Sequence, residues 1–206
     1  MTRTELLVVL GLLLVLAAVG VGPISGYFAK NRLNRAVESA HTLSTLLSQY
    51  ATDNNGVYPV GEGTPSAGKS VGIARNLLEN NYTPNASIFA VGSTRSYAGT
   101  TPDYADLAPA NLSWDFTAGA TATTGITSSA PDLLPVVFTT SQAVTYAAAS
   151  ITLSGQGPLG DQGLIVAYKN QAARFIPSAP SANGPVCAGF LAPDFKATDT
   201  YTQIKP

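Results

Sequence analysis

Residues 6–29, LLVVLGLLLVLAAVGVGPISGYFA, place 24 positions in a row without a charged side chain. As an α-helix this stretch is about 36 Å long, enough to cross the hydrocarbon of a bilayer. It has to be buried in lipid or in an equally dry protein surrounding, and every fold open to the chain must provide for that. A removable signal peptide is the rival reading of an apolar run near a chain start. These residues have no A-x-A-like exit, however, and they continue unbroken into a helical pattern.

In that continuation Leu33, Ala36, Val37, Ala40, Leu43, Leu47 and Tyr50 recur at three- and four-residue intervals, with Lys30, Arg32, Arg35, Glu38 and Gln49 falling largely between them. One helix from Thr4 to about Thr52 would measure about 70 Å. No compact domain of this size needs so long a helix inside it, so its first half is expected to be covered by lipid and then by neighbouring copies. Gly20, Gly22, Pro23 and Gly26 predict a kink or an unwound stretch, because proline removes a backbone donor and glycine weakens the helix. Such a stretch is either tolerated, as in many membrane helices, or a spring-like element.

Glu5 is the informative charge. An ionised carboxylate buried alone beside an apolar run costs several kcal/mol, so it needs either the headgroup region or a partner. The amine of Met1 on a neighbouring copy would serve, which makes Glu5 an assembly device.

After residue 53 the signals become turns and short strands. The stretch DNNGVYP ends the helix, since Asn and Gly accept positive φ and Pro59 forbids continuation. A second helix fits residues 71–80. Strands are expected at 87–91, 112–116, 134–139, 143–153, 164–169 and 173–176, the last two joined by a hairpin turn at Lys169-Asn170-Gln171. The expected fold is α+β: a long N-terminal helix, kinked or unwound between Gly20 and Gly26, packed by its distal half on an antiparallel sheet. The expected division is 1–29 (membrane or filament-core helix), 30–53 (amphipathic continuation) and 54–206 (β-rich head). Residues 117–131, small, hydroxyl-rich and uncharged, read as a surface loop. Asn85-Ala86-Ser87 and Asn111-Leu112-Ser113 match the glycosylation sequon.

Glu5 ahead of its apolar run, Pro23 near the end of that run, the amphipathic continuation, and the exit YATDNNGVYPV at residues 50–60 together resemble the type IV pilin and pseudopilin family. The resemblance covers about the first 60 residues well, and its helix exit of Asn55, Gly56, Tyr58 and Pro59 is most similar to that of the major pseudopilins. It implies cleavage by a prepilin peptidase just before Met1 and N-methylation of the new amine. It further implies a Glu5 that neutralises the amine of an adjacent subunit, an inner-membrane assembly platform, and a separate cytoplasmic ATPase. The expected product is a helical homopolymer, inserted in the bacterial inner membrane before assembly and extracellular afterwards. A pseudopilin of a type II secretion system and a monomeric membrane-anchored binding module remain the alternatives. The C-terminal disulfide loop of many pilins is excluded, because Cys187 is the sole cysteine.

Other chemistry finds little to work with. Residues 63–70 spell the P-loop pattern G-x-x-x-x-G-K-S. The segment before it, GVYPV, is short and broken by Pro59, and no later apolar run ends in an acid for Mg²⁺, so nucleotide binding at Lys69 is not expected. Ser70 is expected instead to cap the second helix. His41 is the only histidine, which leaves neither a catalytic dyad with Cys187 nor a zinc site as a reasonable expectation, and no enzyme is read here. No cofactor is expected. Calcium is the one ion for which the loops leave room, at Asp103 and Asp106 or at Asp194 and Asp199. With a net charge of −1 and 11% charged residues, the chain has no basic surplus for nucleic acid. Tyr27, Phe28 and Tyr50 read as packing aromatics.

Overall fold

The computed structural model describes residues 3–61, 67–99, 104, 106–146, 150–191, 195 and 201–206; side chains are described at Thr4 and from Ala29 onward. Two compact units divide the chain, Met1–Arg35 and Ala36–Pro206. The fold is α+β. Helix α1 spans Arg3–Asp53, 51 residues. Its backbone is helical throughout, Gly20, Gly22, Pro23 and Gly26 included, so the expected unwound stretch is not there. One proline costs a helix one donor and some crowding, and a run of this length keeps its remaining backbone bonds on either side.

In the second unit α1 turns one face inward. Ala36, Ala40, Leu43, Leu47 and Ala51, four and three residues apart, are all buried, and Ser44 among them donates from Oγ to the Tyr168 carbonyl at 2.7 Å. Thr42, Thr45 and Thr52 satisfy their hydroxyls on carbonyls one turn back. Hydroxyls thus sit in the helix without demanding partners elsewhere.

Helix α2, Ser70–Glu79, buries Ile73, Ala74, Leu77 and Leu78, as the periodicity predicts. Among the described residues seven strands follow: β1 (Trp114–Ala118), β2 (Pro135–Thr139), β3 (Ser150–Thr152), β4 (Gly163–Tyr168), β5 (Ala173–Pro177), β6 (Val186–Ala188) and β7 (Thr202–Ile204). Five make an antiparallel sheet in the order β5-β4-β2-β1-β7, and β3 pairs with β6 in a separate ribbon. Both faces of β1, β2 and β4 are covered, which is why these strands read as apolar runs rather than as alternations. Trp114, Phe116, Phe138 and Phe190 fill the core; each such side chain contributes about 1.5–3 kcal/mol on leaving water. The Trp114 indole donates to the Ile88 carbonyl at 2.9 Å, so the largest core residue leaves no unsatisfied donor.

The turn between β4 and β5 falls where expected, with Gln171 at φ 68° and the Tyr168 amide donating to the Ala172 carbonyl at 2.9 Å. Lys169 also pairs with Asp132 at 2.9 Å. Across this hairpin the Arg174 guanidinium lies over the Tyr168 ring, 5.3 Å from its centroid, and bonds the Tyr168 hydroxyl and the Gly189 carbonyl.

Three further expectations need correction. Residues 86–89 form a 3₁₀ turn rather than a strand, because Asn85 Oδ1 accepts the Ser87 amide at 3.0 Å and bends the chain locally. The long strand expected at 143–153 is, among the described residues, only the three residues of β3. Ser70 is not the cap of α2: Lys69 occupies that position without a side-chain bond, while Ser70, fully buried, donates from Oγ to the Ile204 carbonyl at 2.9 Å. The Ser70 amide also donates to the Lys205 carbonyl at 2.9 Å.

Replacing Ser70 by Ala should therefore lower stability by about 1–2 kcal/mol. Hydrogen exchange would speed up at residues 202–206, with the first turn of α2 unchanged. Faster exchange confined to the start of α2 would restore the capping role.

Candidate functional site

Of the residues assigned to assembly, Met1 lies outside the described residues. Glu5 and Pro23 lie on the helical backbone of α1, and their side chains are outside what is described. Among the described residues no helix is long and apolar enough to cross a membrane; the side chains of nearly the whole 6–29 run fall outside that set.

The helix exit is described in full. Asn55 and Gly56 follow one another at φ 56° and 80°, a left-handed pair that reverses the chain. The Gly56 amide donates back to the Ala51 carbonyl at 2.7 Å, and Asn54 donates from Nδ2 to the Tyr50 carbonyl at 2.8 Å, so the last turn of α1 is closed by backbone and side chain together. Beyond the reversal the chain runs alongside residues 126–128. The Tyr58 amide donates to Ile126, and the Ser128 amide donates to Gly56, at 2.9 and 2.7 Å. Tyr58 and Pro59 are buried. The motif thus fixes where the hydroxyl-rich loop sits: Thr121 and Thr124, and Thr127 and Ser129, bond to one another on its exposed side.

A second cluster surrounds Asp115, a fully buried carboxylate on β1 that was not singled out as functional. Thr140, just past β2, donates from Oγ1 to its Oδ1 at 2.6 Å, and Gln203 of β7 donates from Nε2 to its Oδ2 at 2.5 Å. Gln203 also donates to the Gln142 carbonyl at 2.7 Å and accepts the Val144 amide at 3.2 Å. Gln142, itself buried, accepts the Ser154 amide through Oε1 at 3.0 Å. One residue pair along β1, Thr117 bonds both the Pro135 carbonyl and the Tyr146 hydroxyl. Burial pushes the Asp115 carboxyl up from 3.8 to about 6, while the bonds from Thr140 and Gln203 and the charge of Lys205 hold it down. Burial likewise pushes the Tyr146 hydroxyl far above its ordinary value. The one sequence signal for this cluster is an acid inside an apolar run, LSWDFTA.

The arrangement is suited to holding segments together. Lys69 is exposed at the head of α2, and the bond to Ile204 occupies the Ser70 hydroxyl hydrogen. His41 is exposed on α1. Cys187 is buried in β6, its thiol directed at the Ile176 carbonyl at 3.5 Å and pushed up by burial, so it is a poor nucleophile. Asp103, Asp194 and Asp199 lie outside the described residues, and Asp106 is exposed. Among the described residues no three His, Cys, Asp or Glu side chains come together to hold a metal. Asn111 of the second sequon spends its side-chain amide on the Ala108 amide and the Arg95 carbonyl.

Asp115 holds its proton more tightly folded than unfolded, so between about pH 4 and pH 6 the folded chain binds more protons. Stability from this group is then greatest below that window and falls as pH rises through it, by up to about 3 kcal/mol. Urea unfolding of wild type and Asp115→Asn across pH 4–7 should give a difference curve that slopes through the window and levels off above it. A flat difference would remove Asp115 as the titrating group. In comparisons with family models, with curated proteins and with solved structures, nothing matches this chain.

Proposed function

We propose that the chain is a structural subunit of an extracellular type IV pilus-like filament. The observation that carries this reading is one helix, Arg3–Asp53, that joins an uncharged apolar run headed by Glu5 to a segment with one buried face and ends at the Asn-Gly-x-Tyr-Pro exit. In this reading the face of Ala36, Ala40, Leu43 and Leu47 lies on the antiparallel sheet, and Ser44 anchors it to the end of β4. The first half of the helix is inserted in the bacterial inner membrane before assembly. It then moves into a filament core of like helices, exchanging lipid for protein at little cost in apolar burial. Glu5 loses its surroundings of headgroups and water on that transfer, and the Met1 amine of the adjacent copy replaces them. That pair sets the register between neighbours. The energy for extraction comes from a separate cytoplasmic ATPase through an assembly platform, after a prepilin peptidase has freed the amine.

Filaments sheared from native cells, imaged by cryo-electron microscopy at side-chain resolution, test the proposal. Wild type should give helical filaments with residues 3–53 of this chain in their core. Glu5→Ala should lower filament yield by at least about tenfold, the equivalent of 1.4 kcal/mol per subunit added. Isolated membrane-bound copies in both strains would overturn the proposal in favour of an anchored binding module. Short periplasmic assemblies without surface filaments would favour a secretion pseudopilin.

A further inference from the structure

Beside the Asp115 cluster lies a cleft of about 440 Å³, within the range of roughly 300–1,000 Å³ usual for small-molecule sites. We infer that this cleft, lined by Thr140 and Lys205, binds an acidic sugar, and that binding is linked to uptake of a proton by Asp115. The inference is independent of the filament reading.

The lining selects the ligand. Ser141 and Gln156 offer donors and acceptors suited to sugar hydroxyls, and Pro109 and Pro158 offer flat apolar faces suited to a pyranose ring. Lys205 contributes a cation for a carboxylate. The walls are fixed in advance: the Ser93 amide donates to the Pro158 carbonyl at 3.3 Å, and Ser154 donates from Oγ to the Ser141 carbonyl at 2.6 Å. A preorganised polar site spends little binding energy on ordering itself.

The link to the proton follows from the donors around Asp115. Gln203 presents an N–H to Oδ2 and has no acceptor there, so an arriving proton goes to Oδ1. Thr140 then changes from donor to acceptor in its bond to Asp115, and its own O–H is released to donate on the cleft side. Protonation also removes a negative charge near Lys205 that opposes an anion. Among the described residues, the charged and titratable groups facing Asp115 are Lys205 at the end of β7 and Tyr146 from the segment after β2, and burial keeps Tyr146 protonated. Anion and proton therefore favour one another's binding, and the coupling is reciprocal. A carboxyl with its midpoint at about 6 makes the exchange accessible near neutrality.

Calorimetric titration of the full chain in detergent micelles with glucuronate, glucose and acetate, at pH 5, pH 6 and pH 8 and in two buffers of different ionisation heat, tests this. Glucuronate should bind more tightly than either control and several-fold more tightly at pH 5, with buffer-dependent heat showing proton uptake near pH 6. Lys205→Ala should abolish binding, and Asp115→Asn should retain it without the pH dependence. Absence of glucuronate binding, equal binding of acetate or glucose, or absence of proton uptake by the wild type would overturn the inference. The wild-type buffer comparison decides the linkage even if Asp115→Asn does not fold.

Discussion

The short C-terminal strand β7 is fastened from two directions by polar groups beyond the reach of water. From the sheet, Asp115 receives Gln203; from the head of α2, Ser70 donates its amide and hydroxyl to the carbonyls of Lys205 and Ile204. A three-residue edge strand has too little ladder to hold itself, so these side-chain bonds supply the missing cohesion. With a single cysteine, no intramolecular disulfide could do so. The same carboxylate reaches Thr140 directly, and through Gln203 it draws in Gln142 and thereby residue 154. The C-terminus, the stretch after β2 and the edge of the β3–β6 ribbon all depend on one buried acid.

That dependence has a cost built in. A buried carboxylate is stabilised only as far as its donors reach it, and Thr140 and Gln203 do not fully replace water, which is why the group retains its proton to unusually high pH. An apolar residue of similar volume would remove the titration, but it would leave the Thr140 hydroxyl and the Gln203 amide without acceptors. The polar cluster specifies one arrangement of several segments, at some loss of stability near neutrality.

What the sequence made legible was whatever arose locally. Helix α2 followed from Ile73, Leu77 and Leu78, strands β2 and β4 from continuous apolar runs, and β5 from the hairpin that its polar turn makes with β4. The helix exit was legible because Asn, Gly and Pro impose backbone angles by themselves. The 3₁₀ turn at 86–89 was missed because one Asn side chain outcompetes strand propensity. Strands β6 and β7, three residues each, carry too few residues for a period. The Asp115 cluster was invisible because its donors lie 25 and 88 positions away. Ser70 misled for the same reason: a local capping pattern was overridden by a strand 134 residues downstream.

The reversal after α1 bears on how the protein ages. Asn-Gly is the dipeptide most open to spontaneous deamidation, in which the glycine nitrogen attacks the asparagine side chain and closes a succinimide ring. At Asn55-Gly56 that nitrogen is donated to the Ala51 carbonyl at 2.7 Å, and the left-handed pair of angles is fixed by the loop lying against it. The attack requires both to be given up at once. The geometry that turns the chain also shields this Asn-Gly bond, so the chemical lifetime of the site is tied to the integrity of the helix end.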